Sequence, residues 1–191
     1  MCFGDSNTFG YDPRDFFGSR YEKENRWVDI LQTQTGWEWI NAGQNGREIP
    51  RRSFEIESVM QLIRRHQPDL TLVMLGTNDL LQGADPGTVA ARMEAFLRQL
   101  PGAVLLLAPP PLQRGTWVEE DRLAEDSRQL GQAYGDLAAR MGIPFADSGS
   151  WGIELVFDGV HFSEAGHRCF ARHLAQVLER REPRNETLCH Y

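Results

Sequence analysis

A serine near the start of the chain and a histidine near its end are residues that could do chemistry together. Ser6 lies in a Gly-Asp-Ser-Asn segment, residues 4–7, directly after the first apolar residues. A serine hydroxyl becomes a good nucleophile only when a neighbouring base accepts its proton. His161 is such a base, and Asp158 precedes it by three residues in an Asp-Gly-Val-His-Phe segment. The sequence therefore predicts a nucleophilic site of Ser6, His161 and Asp158.

The short spacing between Asp158 and His161 suits this chemistry. A carboxylate bonded to Nδ1 of the imidazole fixes the tautomer in which Nε2 accepts the serine proton, and it stabilises the imidazolium that then forms. Each segment taken alone has another interpretation. Residues 4–7 are all turn formers, and Asp158 with His161 could be a solvated pair before a helix. His167 is the reserve candidate for the base, because it is the closest of the other histidines in sequence.

Two further segments contain donors that could stabilise a negatively charged oxygen. Residues 41–46 read Asn-Ala-Gly-Gln-Asn-Gly, and residues 75–79 read Leu-Gly-Thr-Asn-Asp. Donors that are fixed before charge develops stabilise an oxyanion, and the loss of one typically costs about 10²–10³ in rate. The candidates are the backbone N–H groups of Ser6 and Gly46 and the side-chain amide of Asn78. A plain turn at Gly46 and a helix cap at Asn78 are the alternatives.

The elements that must position these residues alternate between short apolar runs and amphipathic helical stretches. This order indicates an α/β fold with a parallel sheet and helices on both faces. We predict strands at 1–4, 37–41, 70–75, 103–108 and 143–146, and helices at 26–35, 53–66, 119–141 and 163–181, with one more helix starting at 85–86. Three of the candidates, Ser6, Gly46 and Asn78, follow predicted strands, as does Pro109. Sites in such sheets lie at the carboxyl ends of strands, so we expect these residues to meet at one edge.

Length and composition limit the classes of protein and partner. A chain of 191 residues fits one domain, which we place at 1–181, followed by a polar tail at 182–191. The net charge of −7 without a basic run argues against a nucleic-acid partner. No apolar run reaches the roughly 18 residues of a membrane helix. No glycine-rich phosphate loop occurs, which argues against a flavodoxin-like cofactor binder.

The cysteines indicate neither a metal site nor a disulfide framework. Cys2, Cys169 and Cys189 are odd in number and far apart, and they lack metal-ligand spacing. We therefore predict no metal and no cofactor, and we expect a reducing cytoplasm as the location.

The four segments together resemble the SGNH (GDSL-type) hydrolase family, over nearly the whole chain and in the right order. Residues 2–6, 26–27, 75–79 and 109–112 are similar to its bacterial arylesterase/acyltransferase branch. The resemblance implies a flavodoxin-like three-layer α/β/α sandwich with a central five-stranded parallel sheet.

The resemblance also implies roles for the candidate residues. Ser6 would be the nucleophile, His161 the base and Asp158 its partner, while Ser6, Gly46 and Asn78 would form the oxyanion hole. Gly43 is a second possible donor in the second segment. We prefer Gly46, because its spacing from Asn41 fits the family pattern.

Aromatic residues on predicted loops are candidates for a substrate pocket beside Ser6. They could accept an acyl group, an aryl group or a sugar face, or they could simply pack the loops. The candidates are Phe9, Tyr11, Trp117, Trp151 and Phe157. Arg47, Arg51 and Arg52 could bind an anionic group or form a solvated patch. The polar insert 12–25 could act as a lid or an oligomer contact.

These features predict a metal-independent serine esterase that hydrolyses small esters, acetyl or other short-acyl, through an acyl-enzyme. A carbohydrate O-deacetylase competes within this class with a thioesterase or lysophospholipase. The alternative from another class is a non-catalytic module that binds a carbohydrate or a nucleotide. The presence of Ser6 and His161 argues against that alternative. The expected partner is a small-molecule ester, and the resemblance is compatible with a homo-oligomer.

Overall fold

The computed structural model describes residues 1–15 and 17–180. The predicted tail at 182–191 and the end of the last predicted helix, residue 181, lie outside the described residues. The strands are β1 Cys2–Gly4, β2 Asn41–Gly43, β3 Leu70–Met74, β4 Ala103–Ala108 and β5 Phe145–Asp147. The α-helices are α1 Ser6–Phe9, α2 Trp27–Thr35, α3 Ser53–His66, α4 Thr77–Leu81, α5 Pro86–Leu97, α6 Asp121–Met141 and α7 Glu164–Glu179.

The five strands form one parallel sheet in the order β2-β1-β3-β4-β5. Side chains alternate along each strand, so they enter two cores on opposite sides of the sheet. In β3, Val73 lies in one core and Leu72 and Met74 lie in the other. The first core includes residues of α3, α5 and α6, and the second includes residues of α2 and α7. This arrangement confirms the predicted three-layer α/β/α sandwich with a five-stranded parallel sheet.

The long helices agree closely with their sequence periodicity and caps. Helix α3 has the bounds that its apolar stripe predicts. Asp85 caps α5, because its carboxylate accepts the N–H of Thr88 and Pro86 begins the helix. Ser163 caps α7 by accepting the N–H of Gly166 at 3.0 Å.

The second strand begins later than predicted, at Asn41 rather than at residue 37. The reason is that Trp39 is bound to the end of α2. Its backbone N–H donates to Gln32 Oε1 at 3.2 Å, and its indole N–H donates to Thr35 Oγ1 at 3.1 Å. The residues just before β2 therefore pack on the end of α2 and do not lengthen the strand. Strand β5 is likewise displaced toward the C-terminus, to Phe145–Asp147.

Two short helices that the sequence analysis did not predict follow β1 and β3. Helix α1 begins at Ser6, and Asp5 caps it by accepting the N–H of Asn7 at 3.0 Å. Helix α4 carries Asn78 and follows Gly76, whose φ is +118°. A Cβ atom on Gly76 would lie 2.6 Å from the Tyr134 hydroxyl oxygen, so only glycine fits this turn. Both helices start at the carboxyl edge of the sheet.

In the part of the chain that the structure describes, we find no helix with the length and apolar character to cross a bilayer.

Candidate active site

The structure brings Ser6, His161 and Asp158 into one hydrogen-bonded series. His161 Nε2 lies 2.9 Å from Ser6 Oγ, and His161 Nδ1 lies 2.7 Å from Asp158 Oδ2. All three residues are buried, with Asp158 fully inaccessible. A neutral imidazole that donates from Nδ1 to a carboxylate presents Nε2 as an acceptor for a hydroxyl proton. The geometry is therefore that of an activated serine.

The second oxygen of Asp158 is bound by the backbone of its own loop. Oδ1 accepts the N–H groups of Val160 at 2.8 Å and His161 at 2.9 Å. Burial by itself would raise the pKa of Asp158, but the hydrogen bonds from His161 and the two backbone groups outweigh it and lower the pKa below its usual value. The carboxylate is therefore held ionised and in a fixed orientation.

The loop that carries Asp158 is packed closely against residues 113–118. The N–H of Trp117 donates to the Asp158 carbonyl at 3.1 Å, and the N–H of Gln113 donates to the Gly159 carbonyl at 3.0 Å. Gly159 has a φ of +78°, and a Cβ atom there would lie 2.0 Å from the Gln113 carbonyl oxygen. The approach of the two backbones requires glycine at this position.

Asn7 connects the helix of Ser6 to the segment of His161, although the sequence analysis treated it only as a turn residue. Its Nδ2 donates to the Val160 carbonyl at 3.0 Å, and its Oδ1 accepts the N–H of Phe162 at 2.9 Å. The indole of Trp27 donates to its backbone carbonyl at 2.9 Å. The sequence did contain a signal for this role, namely an amide side chain next to the candidate nucleophile. A buried amide needs partners for both its donor and its acceptor.

The predicted oxyanion donors lie on three different segments. Among the described residues, no acceptor is found for the backbone N–H of Ser6 or Gly46. The N–H of Gly43 instead donates to Asn41 Oδ1 at 2.9 Å, which favours Gly46 over Gly43 as a donor. Gly46 is exposed and has a φ of +70°.

Helix α4 supports the turn that contains Gly46. Asn78 Nδ2 donates one proton to the Arg47 carbonyl at 3.0 Å, which leaves its second N–H available. Asp79 is fully buried, and its carboxylate accepts the N–H of Ile49 at 2.9 Å and the guanidinium of Arg92 at 2.8 Å. Burial raises the pKa of Asp79, while these two partners oppose that rise.

Two of the predicted aromatic residues contact the imidazole of His161. The ring of Tyr11 lies 4.8 Å from it and the ring of Trp117 lies 5.2 Å from it, both edge-on. Tyr11 is half-buried, whereas Trp117 is 54% exposed. The imidazole therefore contacts two aromatic rings, and that of Trp117 is largely accessible to a ligand.

The other three aromatic candidates have different surroundings. Trp151 stacks on His173 at 5.4 Å and packs against Phe170 at 5.2 Å, so it lies against α7, and its place in the substrate pocket stays a prediction. The Phe9 ring lies under the Arg20 guanidinium at 4.4 Å. Phe157 is exposed on the loop that precedes Asp158.

The arginines after Gly46 already have partners within the protein. Arg47 lies over the Phe3 ring at 4.2 Å and donates to the Gly4 and Ala42 carbonyls. Burial lowers the pKa of Arg47 to about 10. Arg51 pairs with Glu48 and Arg52 pairs with Glu55. These contacts favour a structural role for the three arginines over the anion-binding role.

His167, the reserve base, lies in the core and is not bound to Ser6. Its ring packs against Tyr21 at 5.3 Å and Phe162 at 5.2 Å, and its Nδ1 accepts the N–H of Trp27 at 3.4 Å. Burial lowers the pKa of His167 to about 3, so this histidine is neutral.

Residues that could hold a metal do not cluster here. Within residues 1–15 and 17–180, no group of three or more His, Cys, Asp or Glu side chains is arranged to bind a metal ion.

The α/β/α fold and the geometry of this site are typical of an ester hydrolase, and comparison with known proteins identifies the family. The chain belongs to the GDSL-like lipase/acylhydrolase family, whose sequence profile matches residues 2–169. This membership confirms the predicted SGNH resemblance and makes the protein a carboxylic ester hydrolase.

Two solved structures illustrate the similarity. The native aryl esterase of M. smegmatis is 28% identical and superimposes with a TM-score of 0.81, over 94% of this chain and 97% of that one. A carbohydrate acetylesterase from Sinorhizobium meliloti, Est24, is 26% identical with a TM-score of 0.79, over 94% and 97% of the two chains. Among curated protein sequences, none matches this chain.

Proposed function

We propose that the protein hydrolyses small acetyl or other short-acyl esters through an acyl-enzyme on Ser6. The observation that supports this most strongly is the continuous series of hydrogen bonds from Ser6 Oγ through the His161 imidazole to the Asp158 carboxylate. A protein that only binds its ligand would not need a buried, paired carboxylate behind a histidine that contacts a serine hydroxyl.

In the first half of the reaction, His161 Nε2 takes the Ser6 proton as Oγ attacks the ester carbonyl carbon. Asp158 stabilises the imidazolium that forms. The oxyanion is bound by the N–H groups of Ser6 and Gly46 and by the free N–H of Asn78. When the tetrahedral intermediate collapses, the bond to the alcohol oxygen breaks and His161 returns the proton to that oxygen.

The second half repeats the sequence with water as the nucleophile. His161 accepts a proton from water as the resulting hydroxide attacks the acyl-enzyme. The same donors bind the second oxyanion, and the bond to Ser6 Oγ then breaks. Ser6 regains its proton from His161 and the carboxylic acid leaves. Every proton transfer is made by side chains of this chain, so we propose no cofactor.

The proposal of a short acyl group is supported by the comparisons. The two structural relatives named above are, by their names, an aryl esterase and a carbohydrate acetylesterase. A thioesterase or lysophospholipase is the second candidate, and chain-length preference separates it from the first.

The test compares hydrolysis of p-nitrophenyl acetate, butyrate and octanoate by the wild type and by Ser6→Ala, with and without a chelator. Ser58→Ala, on the exposed face of α3, is the matched control. We expect Ser6-dependent, chelator-insensitive activity that falls steeply with chain length. Full activity in Ser6→Ala would contradict the nucleophile, and a preference for octanoate would favour the second candidate.

A further inference from the structure

A groove of about 470 Å³ begins at Trp117, next to the imidazole of His161. Its apolar lining includes Leu80 and Leu81 from α4 and Leu123 from α6. The groove is linked to the candidate site through Trp117, which lines the groove and contacts the His161 imidazole. Its volume is within the range that small-molecule sites occupy, roughly 300–1,000 Å³.

The rim of the groove is acidic. Glu119 and Glu120 line it, and neither carboxylate forms a hydrogen bond or an ion pair with another described residue. Arg122 and Asp126 also line it, but they pair with each other at 3.4 Å, so their charges largely cancel. The groove therefore presents an uncompensated negative charge next to an exposed indole.

The chemistry of the proposed reaction assigns this side of the site to the alcohol. His161 Nε2 must return its proton to the leaving oxygen, so the alcohol lies on the His161 side of Ser6. The ring of Trp117 packs edge-on against that imidazole, and the backbone N–H of Trp117 donates to the Asp158 carbonyl. An alcohol that leaves past His161 therefore meets the Trp117 ring and then the acidic rim.

On the basis of the proposed function, we infer that this groove binds the alcohol part of the ester and selects an uncharged, hydroxylated ring such as a sugar. The indole offers an apolar surface for a ring face. The carboxylates of Glu119 and Glu120 are acceptors for ring hydroxyls. The same carboxylates repel an anionic alcohol, more strongly at low ionic strength.

The charge is tested with two acetates on one ring, 4-acetoxybenzamide and 4-acetoxybenzoate, after division by their rates of alkaline hydrolysis. We expect the wild type to favour the neutral ester about fivefold to tenfold in kcat/KM at low salt, and less at high salt. Glu119→Gln/Glu120→Gln reduces this preference to about twofold or less. Glu57→Gln/Glu125→Gln, which removes two charges outside the groove lining, keeps the wild-type preference.

The hydroxyl groups are tested with methyl 6-O-acetylglucoside and cyclohexylmethyl acetate, which share a primary alcohol and a six-membered ring. The wild type favours the glucoside by about fivefold, and Glu119→Ala/Glu120→Ala removes that preference because the acceptors are lost. Equal rates on the two esters in the wild type would overturn the assignment of a hydroxylated ring.

The two proposals fail in different ways. If p-nitrophenyl acetate is not hydrolysed in a Ser6-dependent manner, the proposed function is wrong and the groove assignment is wrong with it. If that hydrolysis is intact but the wild type shows no charge preference, or Glu119→Gln/Glu120→Gln leaves the preference unchanged, only the groove assignment is overturned.

Discussion

The two sides of the candidate site are held in different ways. On one side, Asp158 and His161 are buried, and each polar atom of the carboxylate has a partner in the same loop. On the other side, Gly46 lies in an exposed turn whose N–H has no acceptor among the described residues. That turn depends on Asn78 and Asp79 of a neighbouring helix for its position.

This difference fits the roles that we propose for the two sides. On the side of Asp158 and His161, which we call the proton path, proton transfer requires one fixed tautomer of the imidazole. Direct hydrogen bonds within that loop are sufficient to fix it. The oxyanion side must keep its donors free for a charge that exists only during the reaction. The turn that contains Gly46 is therefore held by other groups. Asn78 donates to the Arg47 carbonyl, and the Asp79 carboxylate accepts the N–H of Ile49.

The largest effect is expected on the proton path. Asp158→Asn keeps the shape but favours the wrong histidine tautomer, and we expect kcat to fall by about 10⁴, the loss that the equivalent change causes in a serine protease with a Ser-His-Asp triad. The measurement is kcat on p-nitrophenyl acetate, with the thermal midpoint as a check of folding. A fall of less than about threefold in a folded variant would remove Asp158 from the proposed triad.

A smaller effect is expected on the oxyanion side. Asn78→Ala removes one donor and also the bond to the Arg47 carbonyl that supports the turn of Gly46, so kcat falls by at least about 10²–10³ while KM changes little. Steady-state kinetics on the same ester separate the two constants. If KM rose and kcat stayed constant, Asn78 would bind the ground state and the comparison between the two sides would fail.

Asn7 connects the nucleophile to the histidine segment, and its removal sharpens the comparison. Asn7→Ala leaves the Val160 carbonyl and the Phe162 N–H without partners, so we expect about a tenfold loss of kcat and about 1–3 kcal/mol of stability. Urea unfolding and kcat are measured together, and Asn25→Ala, which removes an amide bound to Arg168 outside the site, serves as the control. Unchanged kcat would show that the loop holds His161 without Asn7.

The smallest effect is on stability alone and concerns His167. Its folded pKa of about 3 is below the unfolded value of about 6.5, so the unfolded state binds more protons between these pH values. This histidine therefore favours the folded state fully above about pH 6.5, and its contribution is lost as the pH falls toward 3. Asp5, whose pKa burial raises to about 6, has the opposite dependence, because its folded form holds a proton that the unfolded carboxyl has released.

We therefore measure the difference between the wild type and His167→Leu, in which Asp5 is common to both. From about pH 7 to pH 5, the wild type should lose roughly 2 kcal/mol relative to the variant. Urea unfolding at the two pH values gives the difference. A constant difference would show that His167 binds protons equally in both states.

The sequence predicted what local patterns determine. The stripe of α3 and the caps of α5 and α7 depend on residues a few positions apart, and the structure has them where the periodicity and caps indicate. The approach of Ser6 to His161 was expected for two reasons. Ser6 directly follows a predicted strand, and both segments resemble those of a known hydrolase family.

Features that depend on distant partners were not predictable from these patterns. The bonds of Asn7 join residues more than 150 positions apart. The apolar character of Trp151 and Trp39 does not indicate what they pack against. Trp151 packs on α7 and Trp39 packs on the end of α2, and both partners depend on the tertiary fold. The homo-oligomer and the cytoplasmic location stay predictions.

The segment 113–118, which we call the strap, binds the Asp158 loop through its backbone. The side chain of Trp117 in this strap borders the groove. Substrate preference can therefore change through replacement of the groove-lining side chains of this strap, Thr116 and Trp117, while its backbone keeps the Asp158 loop in place. Insertions or deletions are different, because they would break the pairing with the loop of Asp158 and Gly159. We expect relatives with altered substrate ranges to vary the side chains of this strap and to preserve its length.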